Sequence, residues 1–305
     1  MKPEFPLHGL VAAPHTPFHE NGALNLAVVE RQAGHLLAQG VKLVFVGGTT
    51  GEFASLTVAE RLALTERWLE VARGTELKVC VHVGCNCLEE ARALAADAQR
   101  RGAISVGCVA PHYFKPGCVD DLVGWCAAVA VAAPETPFYY YEIPALTGVH
   151  LPVAEFAEKA AGCIPNFTGL KYTAGDLMVY QHCLRAAGGT LDVAWGRDEW
   201  LLAALALGAR GAVGSTYNFA ARLYDRLMRA FAAGDWETAR EEQYRSVRMV
   251  ELLARYGFLP ASKVVMKMAG VDVGPPRPPL RRLTGTEEQT LKGELERLGF
   301  WDWVR

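Results

Sequence analysis

The chain carries eight short apolar runs, most of them separated by stretches of helical periodicity; no other feature restricts its fold as strongly. The apolar runs fall at residues 10–14, 43–47, 78–84, 105–110, 138–143, 169–173, 192–196 and 211–215. They recur about every 20–40 residues, the length of one strand, one helix and two loops. Between them, residues 26–39, 58–72, 88–101, 119–132, 153–161 and 177–187 place apolar side chains at helical spacing. Gly40, Gly74, Gly102, Gly162 and Gly188 follow these stretches as stop signals, because glycine enters the left-handed region at little cost. The runs are nearly continuous in Val, Ala, Phe and Tyr, the pattern of parallel strands covered on both faces.

This alternation predicts a closed (β/α)8 TIM barrel with extra C-terminal helices, of class α/β. An open doubly wound sheet fits less well, since no glycine fingerprint for a dinucleotide follows the first run. Residues 219–233, 236–256 and 260–269 extend the chain as further helices. The segment 274–280, GPPRPPL, is an extended tether to a last amphipathic helix at 287–298. The expected division is a barrel over 1–218 and a helical extension over 219–305 packed on it, the two forming one structural unit.

Composition excludes several functions. With 51% hydrophobic and 21% charged residues and a net charge of −2, the chain has no electrostatic footprint for nucleic acid and no polybasic segment for a membrane. Its eight cysteines contain no CxxC pair and several lie in apolar runs, which predicts reduced core thiols and a cytoplasmic location. Residues 1–18 are too poor in apolar residues and too rich in proline for a signal peptide or membrane helix. Cys85-Asn86-Cys87 lacks a second cluster to complete a metal site, and His82 and His112 lack a well-placed carboxylate partner.

Lys171 is the residue most in need of a task. It sits inside the run GLKYT, where period-two alternation puts Gly169, Lys171 and Thr173 on one face and Leu170 and Tyr172 on the other. Burial favours the neutral form of an amine, which is the form that attacks a carbonyl carbon. The alternative is a lysine whose stem is buried and whose head reaches water at the strand end.

In barrel enzymes chemistry gathers at the C-terminal ends of the strands. GGTTGE (47–52) ends the second run, where backbone amides with Thr49 and Thr50 suit a carboxylate or phosphate; a tight turn with a threonine helix cap fits the same residues. In FYYYEIPALTG (138–148), Tyr139 and Tyr141 share a face opposite Tyr140, and Tyr141 stands within reach of Lys171 as a proton relay or as core packing. Asp198 and Glu199 in WGRDE suit a polyol or the acidic first turn of a helix.

GGTTGE, YYYEIPALTG, GLKYTAGD and GAVGSTYN, in this order and spacing, resemble the N-acetylneuraminate lyase and dihydrodipicolinate synthase superfamily of class I aldolases, over residues 7–280. The synthases usually carry an arginine soon after the tyrosine motif, whereas residues 143–147 here contain no basic side chain; the run is most similar to the N-acetylneuraminate lyase branch, the animal type in particular. The resemblance implies a homotetramer that cleaves N-acetylneuraminate to N-acetylmannosamine and pyruvate, with a covalent lysine imine and no metal or organic cofactor. It implies that Lys171 forms the Schiff base, that Tyr141 moves the proton, and that Thr49 and Thr50 hold the keto acid carboxylate. Thr173, Gly196, Asp198, Glu199 and Ser215 would line the sugar end, and Tyr113 would lie near a subunit contact. Glu142 departs from the neutral residue or histidine usual at its position, and 262–270 matches less securely. Three other readings stay open: another pyruvate aldolase acting on 2-keto-3-deoxy sugar acids or aspartate semialdehyde, a metal-dependent barrel hydrolase, and a noncatalytic sugar-acid binding protein.

Overall fold

The apolar runs become eight parallel strands: β1 (Gly9–Ala12), β2 (Leu43–Val46), β3 (Lys78–His82), β4 (Ser105–Val109), β5 (Phe138–Glu142), β6 (Phe167–Tyr172), β7 (Asp192–Trp195) and β8 (Gly211–Gly214). They pair in sequence order, and β8 returns to β1 with Gly9 beside Gly211 and Ala12 beside Gly214, so the sheet closes into a barrel. Closure leaves no open edge. The computed structural model describes residues 6–305; the reading of the N-terminal stretch falls partly on residues 1–5, outside the described residues.

Alternation sorts the strand side chains into two apolar clusters. Val11, Phe45, Cys80, Val109, Tyr139 and Tyr141 point into the barrel, while Val44, Val46, Tyr140, Leu170 and Tyr172 meet the helices outside. Phe45 is completely buried inside the barrel, a placement worth about 1.5–3 kcal/mol for a side chain of this kind.

The covering helices are α1 (Val28–Ala38), α2 (Val58–Ala72), α3 (Leu88–Arg100), α4 (Val119–Ala130), a single turn α5 (Pro144–Thr147), α6 (Val153–Cys163), α7 (Leu177–Gly189) and α8 (Leu201–Ala206). The last of these is not legible as a helix in the sequence, being one short turn and a half behind the 3-10 turn Asp198–Trp200. Gly40, Gly74, Gly102 and Gly188 take positive φ as expected, but Gly162 does not: it lies within the final turn of α6, which runs on to Cys163. The cysteines also need correction. Cys80, Cys108, Cys126 and Cys183 are buried, whereas Cys87, Cys118 and Cys163 are exposed and Cys85 is intermediate; all eight are free.

One irregularity decides what the barrel presents inside. Phe138 pairs with Phe167, yet Tyr139 pairs with Gly169, so Thr168 is an extra residue on β6. Without this bulge Tyr141 would stand beside Leu170; with it, Tyr141 pairs with Lys171.

Beyond β8 come α9 (Tyr217–Ala232), α10 (Trp236–Arg255), α11 (Phe258–Met268), α12 (Gly285–Leu298) and α13 (Phe300–Trp303). Leu223, Tyr224 and Leu227 of α9 are fully buried, and Arg226 binds Glu242 of α10 and the carbonyl of Trp303. No helix among the described residues is long and apolar enough to cross a membrane.

Candidate active site

A cavity of about 350 Å³ opens at the C-terminal ends of the strands. Nine of the ten residues singled out in the sequence line it: Lys171, Tyr141, Thr49, Thr50, Thr173, Gly196, Asp198, Glu199 and Ser215. Tyr113 does not. It projects from the loop after β4, 77% exposed, with its ring against the equally exposed Phe114.

Lys171 points into the barrel and is 4% exposed. Its Nζ lies 3.9 Å from the centre of the Tyr141 ring and 4.7 Å from that of Phe45, so the amine is enclosed by aromatic surface. The Tyr141 hydroxyl is 3.1 Å from Thr49 Oγ1, and Thr50 Oγ1 is 2.6 Å from Ser215 Oγ. The floor is therefore one amine surrounded by four hydroxyls.

The Thr49–Thr50 turn is fixed from three sides. His82, buried and with its imidazole pKa held well below the usual value by desolvation, donates from Nδ1 to the Gly47 carbonyl at 2.9 Å. Thr16 Oγ1 donates to the Gly51 carbonyl at 2.6 Å. Glu52, in the left-handed region at φ 54°, ends the turn with its carboxylate 2.7 Å from Lys263 Nζ and accepting from the Arg277 amide at 2.8 Å. Burial pushes the Lys263 ammonium down to about 8 while Glu52 opposes the shift. The stretch 262–270 thus supports the turn instead of lining the cavity, and the tether that follows it grips α2 through Arg277 and Glu60. Thr57, not Thr49 or Thr50, caps α2, in a capping box with Glu60.

The far end of the cavity is acidic. Thr216 donates to Asp198 Oδ2 from its amide at 2.9 Å and its hydroxyl at 2.6 Å, yet burial still pushes the carboxyl up to about 6. Glu199 stands beside it on the same 3-10 turn.

Seven lining residues lie outside the set that the sequence points to; three of them, Ile143, Ala145 and Val213, flank that set within the same strand-end motifs. Arg197 is a fourth, although a cation between a glycine and two acids in WGRDE is signal enough. Val250, Phe258 and Leu259 come from α10 and α11 and carry no local mark of a site. His82 and His112 serve elsewhere, His112 bonding Asn86 at 3.0 Å, and among the described residues no three His, Cys, Asp or Glu side chains converge as metal ligands would. Glu142 faces outward, where its carboxylate accepts from the Thr173 and Ala174 amides.

A parallel (β/α)8 barrel with a buried lysine at the mouth of its sixth strand defines the class. The chain belongs to the dihydrodipicolinate synthetase family, whose match runs over residues 6–298. It is 40% identical to the N-acetylneuraminate lyase of Gallus gallus over 303 residues, 97% of each chain. Among solved structures it resembles the N-acetylneuraminate lyase of Proteus mirabilis, at 38% identity and a TM-score of 0.94 over 97% of this chain and 100% of that one. The DHDPS of Cyanidioschyzon merolae is more distant in sequence, at 30% identity and a TM-score of 0.89 over 96% of this chain and 98% of that one.

Proposed function

We propose that this protein is a Schiff-base aldolase that cleaves N-acetylneuraminate to N-acetylmannosamine and pyruvate. The observation that carries the reading is the pairing of Tyr141 with Lys171 across β5 and β6, with the phenol hydroxyl bonded to Thr49 in the same cavity. Near-full-length identity of 40% to the Gallus gallus lyase supports it.

The neutral amine of Lys171 attacks the ketone carbon of the open-chain sugar acid, and loss of water leaves a protonated imine. Thr49, Thr50 and the amides of their turn hold the adjacent carboxylate. As the bond between the third and fourth carbons breaks, its electrons pass into the iminium, giving an enamine, and the fourth-carbon hydroxyl loses its proton and becomes the aldehyde. Tyr141, near both the amine and Thr49, relays it: the phenol oxygen receives the hydroxyl's proton as the phenol's own proton passes to the enamine carbon; help of this kind is worth about 10²–10⁴ in rate. Water then releases pyruvate and restores the amine. Asp198, Glu199, Ser215 and Thr173 accept and donate hydrogen bonds to the polyol, with Gly196 leaving room for it. No organic cofactor or metal takes part in these steps.

The absence of a basic side chain over residues 143–147 favours a sugar acid over a substrate with a second carboxylate. The eight unpaired cysteines support a reducing, cytoplasmic compartment, and the exposed Tyr113–Phe114 pair supports self-association as a homotetramer. The purified protein should release N-acetylmannosamine and pyruvate from N-acetylneuraminate, with turnover that persists in chelator. Turnover confined to 2-keto-3-deoxy sugar acids or aspartate semialdehyde would place it elsewhere in the family.

A further inference from the structure

Glu142 and Arg197 stand on opposite sides of β6, one at the end of β5 and the other just past β7, and both end on the same peptide. Glu142 Oε2 accepts from the Thr173 amide at 3.1 Å and the Ala174 amide at 3.0 Å. The Thr173 hydroxyl donates to the Glu142 carbonyl at 2.7 Å. From the other side, Arg197 Nε donates to the Thr173 carbonyl at 2.8 Å, and its guanidinium lies 3.5 Å from Glu199. Every polar group of Thr173 is thereby held by its two neighbouring strand ends.

This arrangement is costly where it stands. The outward positions around Glu142 are apolar (Tyr140, Leu170, Tyr172), and Glu142 itself is 8% exposed. A carboxylate in such surroundings costs free energy unless donors satisfy it, and an apolar residue would pack there without that cost. The donors it does find belong to the one segment that leads from Lys171 to the far half of the cavity. Thr173 lies two residues beyond the lysine on the same face, and Glu199, reached through Arg197, lies at the acidic end.

We propose that Glu142 and Arg197 are positioning residues, a clamp on the Thr173–Ala174 segment that sets the spacing between the Lys171 imine and the sugar-binding end and so fits the site to a long polyol chain. The proposal rests on the lysine-imine reading above and deepens it. Pyruvate occupies only the lysine end, so its condensation is independent of the clamp. Cleavage of the full sugar acid depends on it.

The test uses the full chain with Glu142→Ala, Glu142→Gln and Arg197→Met, each measured for borohydride trapping of pyruvate and for KM and kcat with N-acetylneuraminate. In Glu142→Ala the KM should rise about tenfold or more, the loss expected for hydrogen bonds to a charged group. Trapping should stay within about twofold of the parent. Glu142→Gln should recover most of the loss, because its side-chain oxygen still accepts both amides. Arg197→Met, at a half-exposed position that folding tolerates, should raise KM in the same direction and decides the question if Glu142→Ala fails to fold. An unchanged KM in both Arg197→Met and Glu142→Ala overturns the clamp, or in Arg197→Met alone where Glu142→Ala does not fold, as does trapping that falls in parallel with cleavage. Failure of the parent protein to trap pyruvate overturns the lyase reading itself, a separate outcome.

Discussion

Lys171 and Tyr141 make the sharpest demands on chemistry, and each can be removed singly. Tyr141→Phe keeps the ring that packs over the lysine but deletes the hydroxyl that bonds Thr49. It should lower kcat by about 10²–10⁴ while the imine still forms, and single-turnover kinetics with mass detection would separate the two steps. Asp198 offers a pH test. Its folded carboxyl, raised by burial from 3.8 to about 6, favours the protonated form relative to the unfolded chain. The charged side chain therefore costs nothing below pH 3.8, and the cost grows to its full value as pH rises through about 6. Asp198→Asn keeps an oxygen for both Thr216 donors. It should stabilise the protein near neutral pH by up to about 3 kcal/mol and not at all near pH 4, read from urea denaturation at each pH. These residues were legible because period-two alternation fixes which side chains share a face. That Tyr139 and Tyr141 share a face opposite Tyr140 follows from the sequence alone, whereas which face turns into the barrel, and the Tyr139 hydroxyl's bond to Asp192, 53 residues away, do not.

At the scale of elements, strands and most helices fall within a few residues of where periodicity puts them. The exceptions share a cause: they depend on what the neighbouring element does. The Thr168 bulge exists only relative to β5, and nothing in the run FTGLKY announces it. Gly169 is required there because an added methyl would run into the carbonyl oxygen of Asp192 on β7. The turn 47–52 likewise owes its shape to a partner far along the chain. Glu52 and Lys263 are both almost wholly buried, and each satisfies the other. Lys263→Met would leave the Glu52 carboxylate buried without its cation, and breaking such a pair costs about 3–5 kcal/mol. The variant's denaturation midpoint should fall accordingly, with a further loss of affinity for pyruvate because Thr49 and Thr50 ride on the same turn. A midpoint equal to the parent's would show that the pair is not what holds the turn.

On the scale of the whole molecule, the barrel and the helices after it meet at the cavity. Val250, Phe258 and Leu259 line it from α10 and α11, and α9 buries its apolar face without a gap in the chain from β8. We propose that residues 1–218 and 219–305 fold as one unit. Calorimetry of the full chain should give a single transition, and a chain ended after Asn218 should give none; two separable transitions would contradict this. That the chain is a barrel was legible from the recurrence of eight runs together with the lack of a dinucleotide glycine fingerprint after the first, which set the closed barrel above an open doubly wound sheet. That the last helices complete the site was not, because their contribution is apolar and resembles any other packing.

The central claim is that the amine of Lys171 condenses with a keto acid, and its most direct test is reductive trapping. The protein is incubated with pyruvate and borohydride, digested, and analysed by mass spectrometry. The account predicts one reduced pyruvate adduct, located on Lys171 and absent from Lys171→Met. An unmodified Lys171 in protein that is cleaving N-acetylneuraminate would contradict it.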